Sequence, residues 1–122
     1  MRFCWVTINV KDMETSVSFY RDVVGLPVTR KMKPMPGTEI VFLGSGDTEV
    51  ELIKNDKNTN PQFGADISLG FEVDSVDKTI EFLKSKNVKI HSGPFQPSRI
   101  VKFFFVEDPN GLRVQFVENI RR

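Results

Sequence analysis

The sequence has few of the residues on which many enzyme sites depend. It contains one cysteine, one histidine, one tryptophan and one tyrosine. The lone Cys4 excludes an internal disulfide and a cysteine metal cluster. The lone His91 leaves a catalytic triad or a multi-histidine metal site hard to assemble. Long apolar runs are also missing: the longest covers about four residues, Phe103 to Val106, far fewer than a membrane-spanning helix needs.

An excess of charge of one sign is missing as well. Seventeen Lys and Arg residues against sixteen Asp and Glu residues leave a formal net charge of +1, which gives no electrostatic reason to expect nucleic acid as a partner. The apolar fraction is that of an ordinary folded protein, so disorder is excluded and a single domain over residues 1–122 is predicted. The first residues lack the features of a signal segment, which predicts a cytoplasmic location.

An internal repeat organises the chain. Residues 5–10 and 68–73 both alternate between apolar and polar side chains, which is typical of a strand with one buried face. Each run leads into a helical pattern. Asp12 is the predicted N-cap of the first helix, and either Asp74 or Ser75 is the predicted N-cap of the second.

Three strand-like runs follow each helix. They are predicted over Pro27–Arg30, Glu39–Leu43 and Glu49–Ile53 in the first half, and over Val88–His91, Ile100–Val106 and Leu112–Val117 in the second. The order βαβββ, given twice, predicts an α+β fold with modules at residues 1–57 and 65–122 joined by a polar linker. We expect the modules to form a cupped mixed β-sheet with the helices on its outer face.

The alternation predicts which side chains face away from the helices, on what we call the open face. In the first module these include Trp5 and Glu51; Ser68 and Gln115 hold the equivalent positions of the second module, and Arg113 shares their face. If the modules close around a pseudo-two-fold axis, the four equivalent side chains meet at one place. Such a place is the default binding-site hypothesis.

The run of phenylalanines in the second half is assigned in the same way. Phe104 and Lys102 are placed on the open face, because Val101, Phe103 and Phe105 suit the helix side better. A bulge in this strand would reverse the assignment.

Several motifs recur at a spacing typical of one superfamily. They are Ile8–Asp12, Ser16, Phe19, Tyr20, Gly25 and Leu26 in the first half, and Phe71–Asp74, Phe105–Gly111 and Val114 in the second. On these residues the chain resembles the vicinal-oxygen-chelate superfamily, which includes glyoxalase I, ring-cleaving dioxygenases, fosfomycin-resistance enzymes and bleomycin-resistance proteins. The resemblance covers essentially the whole chain and implies the βαβββ fold and a homodimer. It is far less informative about function, because one fold hosts many chemistries.

The resemblance also raises the question of a metal. Glyoxalase-type members hold a divalent ion with four side chains, typically two histidines (or a histidine and a glutamine) and two glutamates. Carried over by position, these places hold Trp5, Glu51, Ser68 and Gln115. Only Glu51 is a good ligand, Gln115 is a weak neutral donor, and an indole has no lone pair to offer. We therefore expect no cofactor, and in particular no divalent metal.

Two classes of function remain open. The first is a protein of the bleomycin-resistance kind that binds a small organic molecule in the cup. Its ligand-binding residues would be Trp5, Ser68, Phe104, Arg113 and Gln115. The second is a lyase or isomerase of the glyoxalase I or dioxygenase type, using either a divalent metal at Glu51 and Gln115 or acid–base catalysis by Glu51 alone. We favour the first, with neither nucleic acid nor a membrane as a partner.

Glu51 and Trp5 each have a second interpretation. Glu51 could be a structural carboxylate, paired with Arg113 or hydrogen-bonded to Gln115 and Ser68. Trp5 could fill the cup or lie at a dimer interface. A third class of function is a dimeric structural or regulatory module with a closed cup, in which Trp5 would be fully buried.

Overall fold

The computed structural model describes residues 1–64 and 66–119. The first half contains β1 (Trp5–Asn9), α1 (Met13–Ser18) with a π-helical continuation (Phe19–Val23), β2 (Val28–Met35), β3 (Thr38–Leu43) and β4 (Glu49–Asn55). The second half contains β5 (Ser68–Glu72), α2 (Val76–Ser85), β6 (Ser92–Ser98), β7 (Val101–Glu107) and β8 (Arg113–Asn119). The module boundaries predicted at residues 65 and 122 lie outside the described residues.

The strands form two four-stranded sheets with the same topology. One has the order β1-β4-β3-β2 and the other β5-β8-β7-β6. In each sheet the first strand runs parallel to the last, and the remaining pairs are antiparallel. The sheets belong to two compact units, Met1–Gln62 and Phe63–Arg122. The predicted α+β class and the repeated βαβββ order are confirmed.

The helix of the first unit begins and ends where the sequence predicts. The side chain of Asp12 accepts a hydrogen bond from the Thr15 N–H at 2.8 Å, as an N-cap residue does. Gly25, with a φ of 89°, follows the π-helical continuation and reverses the chain. Phe19 and Tyr20 are buried there.

Asp12 provides a test of this cap that depends on pH. Its hydrogen bonds from Thr15 hold the pKa of the carboxyl below its ordinary value of 3.8. A depressed pKa means that the stabilisation is complete above the ordinary value and is lost as the pH falls through the folded-state value. We expect Asp12→Ala to lower the Tm by roughly a few degrees at pH 7. The difference from wild type should shrink below about pH 4.

Asp12→Asn is the matched control, since it keeps an oxygen acceptor and removes the charge. It should lower the Tm by less than Asp12→Ala does, and this decrease should depend less on pH. A difference between wild type and Asp12→Ala that stayed constant down to pH 2.5, in thermal scans at several pH values, would contradict this account.

The structure decides between the two N-cap residues predicted for the helix of the second unit. Ser75 rather than Asp74 is the N-cap, because its hydroxyl accepts from the Lys78 N–H at 3.2 Å. Glu118 on β8 adds a second partner for the helix terminus by accepting from the Val76 N–H at 2.7 Å. The helix is thus fixed to the strand on which it packs, with Leu83 buried.

One face of each sheet is apolar and buried. In the first unit, where α1 packs on β4, its residues include Ile8, Val41, Leu43, Val50 and Leu52. In the second unit, where α2 packs on β7 and β8, they are Phe104, Val106, Val114 and Phe116. The open face is therefore the other side of each sheet, as the alternation predicts.

The strand predicted over Val88–His91 is wrong, since β6 covers Ser92–Ser98 instead. Gly93, Pro94 and Pro97 make this segment read as a loop, because proline has no N–H to donate to a ladder. The structure accommodates them at the edge of the sheet, where β6 pairs with β7 alone and the register shifts twice. An outer strand needs partners on one side only.

A tight turn connects β7 to β8. Asp108, which is 5% exposed, accepts hydrogen bonds through Oδ1 from the N–H groups of Asn110 at 2.8 Å and Leu112 at 2.9 Å. Gly111 has a φ of 89°, a conformation that favours glycine. In the part of the chain that the structure describes, no helix is long and apolar enough to cross a membrane.

Candidate functional site

Four side chains form a row across the open face of the first sheet. Thr7 on β1 lies opposite Glu51 on β4, Glu51 lies opposite Phe42 on β3, and Phe42 lies opposite Arg30 on β2. Because directly opposed residues in neighbouring strands point to the same side of a sheet, the four share one face. Trp5, two residues before Thr7 on β1, belongs to this face as well.

Glu51 is the buried ionisable residue of this row. It is 9% exposed, and its Oε1 accepts a hydrogen bond of 2.6 Å from the Thr7 hydroxyl. A hydrogen bond to a carboxylate at this distance is short and charge-assisted. Burying a carboxylate is costly unless it is hydrogen-bonded, and one partner leaves Glu51 with capacity to accept from a ligand or water.

Aromatic and cationic groups lie beside this carboxylate. Phe42 is 3% exposed although it is on the open face. The Arg30 guanidinium lies 3.9 Å from the centroid of its ring, and the Trp5 ring meets it edge-on at 5.2 Å. Arg30 also pairs with Glu49 at 3.2 Å. These contacts bury Phe42 and leave Trp5, at 43% exposure, as the accessible aromatic surface of the group.

The second unit repeats the row with different chemistry. Gly70, Gln115, Phe105 and Ser92 lie opposite one another across β5, β8, β7 and β6. A Cβ added at Gly70 would lie 3.2 Å from the Gln115 Oε1, so the amide leans over the glycine. The carboxylate and hydroxyl of the first unit are thus replaced by an amide and a bare backbone.

Phenylalanines dominate the rest of this second face. Phe103 contacts Phe105 at 5.8 Å and Phe95 at 5.5 Å between ring centroids, and Phe95 is 45% exposed. Ser68 and Arg113, which are both exposed, lie opposite each other at the start of β5 and β8. This face therefore combines several phenylalanines with the polar side chains of Ser68, Arg113 and Gln115.

The placement of Phe104 on the open face is wrong. Phe104 is 0% exposed and lies opposite Phe116, with 5.4 Å between the ring centroids, in the core under α2. Lys102 lies two residues earlier on the same helix-facing side, so its placement on the open face is wrong as well. Its Nζ donates a hydrogen bond of 2.9 Å to Asp77 of α2. In a run of consecutive phenylalanines every position is apolar, so hydrophobicity carries no information about the face.

The other predicted site residues lie where the alternation puts them. Trp5 and Glu51 are on the open face of the first sheet, and Ser68, Arg113 and Gln115 are on the open face of the second. Phe42, Arg30 and Phe105 were not predicted from the sequence. The signal was available for Phe42, because a period of two counted along β3 from the buried Val41 and Leu43 puts it on the opposite side.

The side chains at the four family positions make a poor donor set for a transition-metal ion. No group of three or more His, Cys, Asp or Glu side chains within residues 1–64 and 66–119 is arranged to hold a metal. Glu51 offers one carboxylate, and its Oε1 already accepts a hydrogen bond from the Thr7 hydroxyl. These residues do not match a set of imidazoles and carboxylates, and we derive no step of a reaction through a metal.

Comparison with known proteins agrees with this fold. Residues 2–116 match the family described as the Glyoxalase/Bleomycin resistance protein/Dioxygenase superfamily. The chain belongs to this superfamily. It is 32% identical to a lactoylglutathione lyase of Haemophilus influenzae, over 98% of this chain and 93% of that protein.

Solved structures of other proteins have the same fold. The trypanothione-dependent glyoxalase I of Leishmania major is 26% identical and superposes with a TM-score of 0.81, covering 97% of this chain and 86% of that one. An antibiotic-binding protein, TnmS3 of Streptomyces sp. CB03234, superposes with a TM-score of 0.78 at 19% identity, covering 98% and 96%. The second likeness concerns the fold alone.

These relatives contradict the expectation of a chain without a cofactor. The Haemophilus relative is a lactoylglutathione lyase and the Leishmania structure is a glyoxalase I, and glyoxalase I enzymes typically depend on a metal. The expectation was wrong because it considered only the ligands that protein side chains supply, and not those from water or substrate. Hard divalent ions such as Mg²⁺ are held by one or two carboxylates, with water and substrate oxygens completing the coordination.

Proposed function

We propose that this glyoxalase-superfamily protein binds a small organic molecule on the open face of its first sheet, with Glu51 and Trp5 as the main contacts. The observation that carries the proposal is the buried Glu51 carboxylate, turned away from the apolar core and neighboured by a half-exposed indole. Aromatic and apolar side chains combined with a few placed polar groups are the usual composition of a ligand site. A carboxylate beside an indole suits an aromatic ligand with a cationic group.

The open face of the second sheet carries candidate ligand contacts of its own. Ser68, Arg113 and Gln115 remain proposed ligand-binding residues, and Phe105 takes the role that the sequence gave to Phe104. Phe105 is half-buried and lies opposite Gln115, which supports an apolar contact beside an amide.

Fluorescence tests the proposal directly, because Trp5 is the sole tryptophan of the chain. Benzylamine, an aromatic ring with one ammonium group, should change the Trp5 emission in a saturable way. Glu51→Gln removes the charge and keeps the size, and we expect it to weaken benzylamine binding about tenfold or more. The Kd is measured by titration of wild type and variant at one ionic strength.

Benzyl alcohol is the matched control ligand, since it has the same shape and no charge. Its binding should change little in Glu51→Gln. An equal Kd for benzylamine in both proteins, or no saturable response of Trp5 to benzylamine, would refute the proposed site.

A second candidate function is lyase catalysis with Glu51 as the acid–base group. It is favoured by the identity with the Haemophilus lactoylglutathione lyase over nearly the whole chain. Turnover of lactoylglutathione is assayed with added divalent ions and, separately, with a chelator, so that a metal-dependent activity is detected. A rate for Glu51→Gln equal to that of wild type would exclude this role for Glu51.

A homodimer and a cytoplasmic location remain inferences from the family resemblance and the sequence. Light scattering at two protein concentrations distinguishes a dimer from a monomer of 13.9 kDa.

A further inference from the structure

Resting on the proposed function, we infer that Thr7 is a positioning and specificity-determining residue that occupies one oxygen of Glu51 and leaves the other for the ligand. The starting point is the 2.6 Å hydrogen bond from the Thr7 Oγ1 to the Glu51 Oε1. A threonine hydroxyl carries a single proton, so this bond commits the donor to Oε1. Threonine is also stiff at χ1, and the hydroxyl is therefore held in place before any ligand arrives.

The second oxygen of Glu51 is in a different state. Its Oε2 accepts no hydrogen bond from the described residues of the first unit. Yet no fully buried side-chain nitrogen or oxygen of the described residues lacks a partner. Oε2 therefore retains access to solvent, and it is the oxygen that a ligand on the open face can reach.

The internal repeat argues that this pairing is not a requirement of the fold. Gly70 and Gln115 are opposed in the second unit just as Thr7 and Glu51 are in the first. The same strand order and the same parallel β-pair form there without a hydroxyl and without a carboxylate. At these two equivalent positions the hydroxyl and the carboxylate occur together in one unit and are absent together from the other, which points to a shared task.

The consequence is a preference among cationic ligands. A carboxylate with two available oxygens matches the parallel N–H groups of an amidinium or guanidinium. A carboxylate with one oxygen that already accepts from Thr7 is less able to accept two parallel N–H groups, and it favours a single donor, such as an ammonium group. Thr7 thus selects ligands with one ammonium donor over ligands with a planar two-pronged cation.

The experiment compares benzylamine with benzamidine in wild type and in Thr7→Val, which removes the hydroxyl at nearly constant shape. In wild type we expect benzylamine to bind more tightly. In Thr7→Val neither oxygen of Glu51 accepts a hydrogen bond from the described residues of the protein, and the ratio of the two Kd values should shift about tenfold toward benzamidine. Thr7→Ser should restore the wild-type ratio, and Thr7→Ala should behave like Thr7→Val.

The double variant separates this inference from the proposed function. In Glu51→Gln, the further change Thr7→Val should leave the ratio unaltered, because Thr7 acts through the carboxylate. Suppose that Glu51→Gln weakens the binding of benzylamine, but Thr7→Val has the same ratio of Kd values as wild type. The role of Thr7 is then overturned, and the proposed binding site stands. If Glu51→Gln has no effect on benzylamine, the binding site and the role of Thr7 fail together.

Discussion

Phe104→Ala should lower the free energy of unfolding by about 3–5 kcal/mol, the usual cost of removing a buried phenylalanine. Phe104 is 0% exposed and packs against Phe116 in the core of the second unit. Truncation to alanine removes most of this contact and leaves a cavity that surrounding side chains fill only in part. Urea denaturation, followed by circular dichroism, measures the change.

Phe105→Ala is the matched control, since it removes the same group from the next residue of the same strand. Phe105 lies on the open face and is only half-buried, so we expect a loss of about 1–2 kcal/mol. The comparison tests the face assignment itself. A larger loss of unfolding free energy for Phe105→Ala than for Phe104→Ala would mean that Phe105, and not Phe104, points into the core.

Asp108→Ala should cost about 2–4 kcal/mol, because hydrogen bonds to a charged group are worth more than neutral ones and this carboxylate accepts two from the main chain. Asp108 is buried and holds the N–H groups of Asn110 and Leu112 in the turn before β8. Without the carboxylate those donors lose their partner, and the entry of β8 into the sheet is less well fixed. The same denaturation experiment measures the loss.

Two further variants control for this interpretation. Asp108→Asn keeps an oxygen acceptor and should recover part of the stability. Asp47 lies in the corresponding turn of the first unit, where it is exposed, so Asp47→Ala should change stability by less than about 0.5 kcal/mol. Similar losses at Asp47 and Asp108 would show that the side-chain bonds of Asp108 are unimportant.

The sequence was sufficient for the α+β class and for the order of the elements because those depend on short-range patterns. A period of two at residues 5–10 and the cap at Asp12 are local signals, and tertiary contacts did not override them. The strand at residues 92–98 was missed because the rule against proline in strands holds for central strands. Whether a strand is central depends on the whole sheet, which no short segment encodes.

Short-range patterns also predicted part of the candidate site. Alternation was enough to place Trp5 and Glu51 on one face. The partner of Glu51 could not be deduced, because β1 pairs with β4, a strand more than forty residues away, and the register alone puts Thr7 opposite the carboxylate. Phe104 was misplaced for a different reason: its neighbours are equally apolar, and the contact of Lys102 with α2 decides the face.

The prolines of the outer strands affect the behaviour of the protein at high concentration. An unpaired strand at the edge of a sheet is a template on which another chain can add a strand, and this is a common route to aggregation. Pro34 interrupts β2, and Pro94 and Pro97 interrupt β6, each an outer strand of its sheet. Each proline removes one N–H from the row that an incoming strand would use. Lys31 and Lys33 on β2 add charges that repel a second copy. Pro94 and Pro97, which make β6 read as a loop in the sequence, therefore protect one outer strand of the second sheet, and Pro34 does the same for β2 in the first.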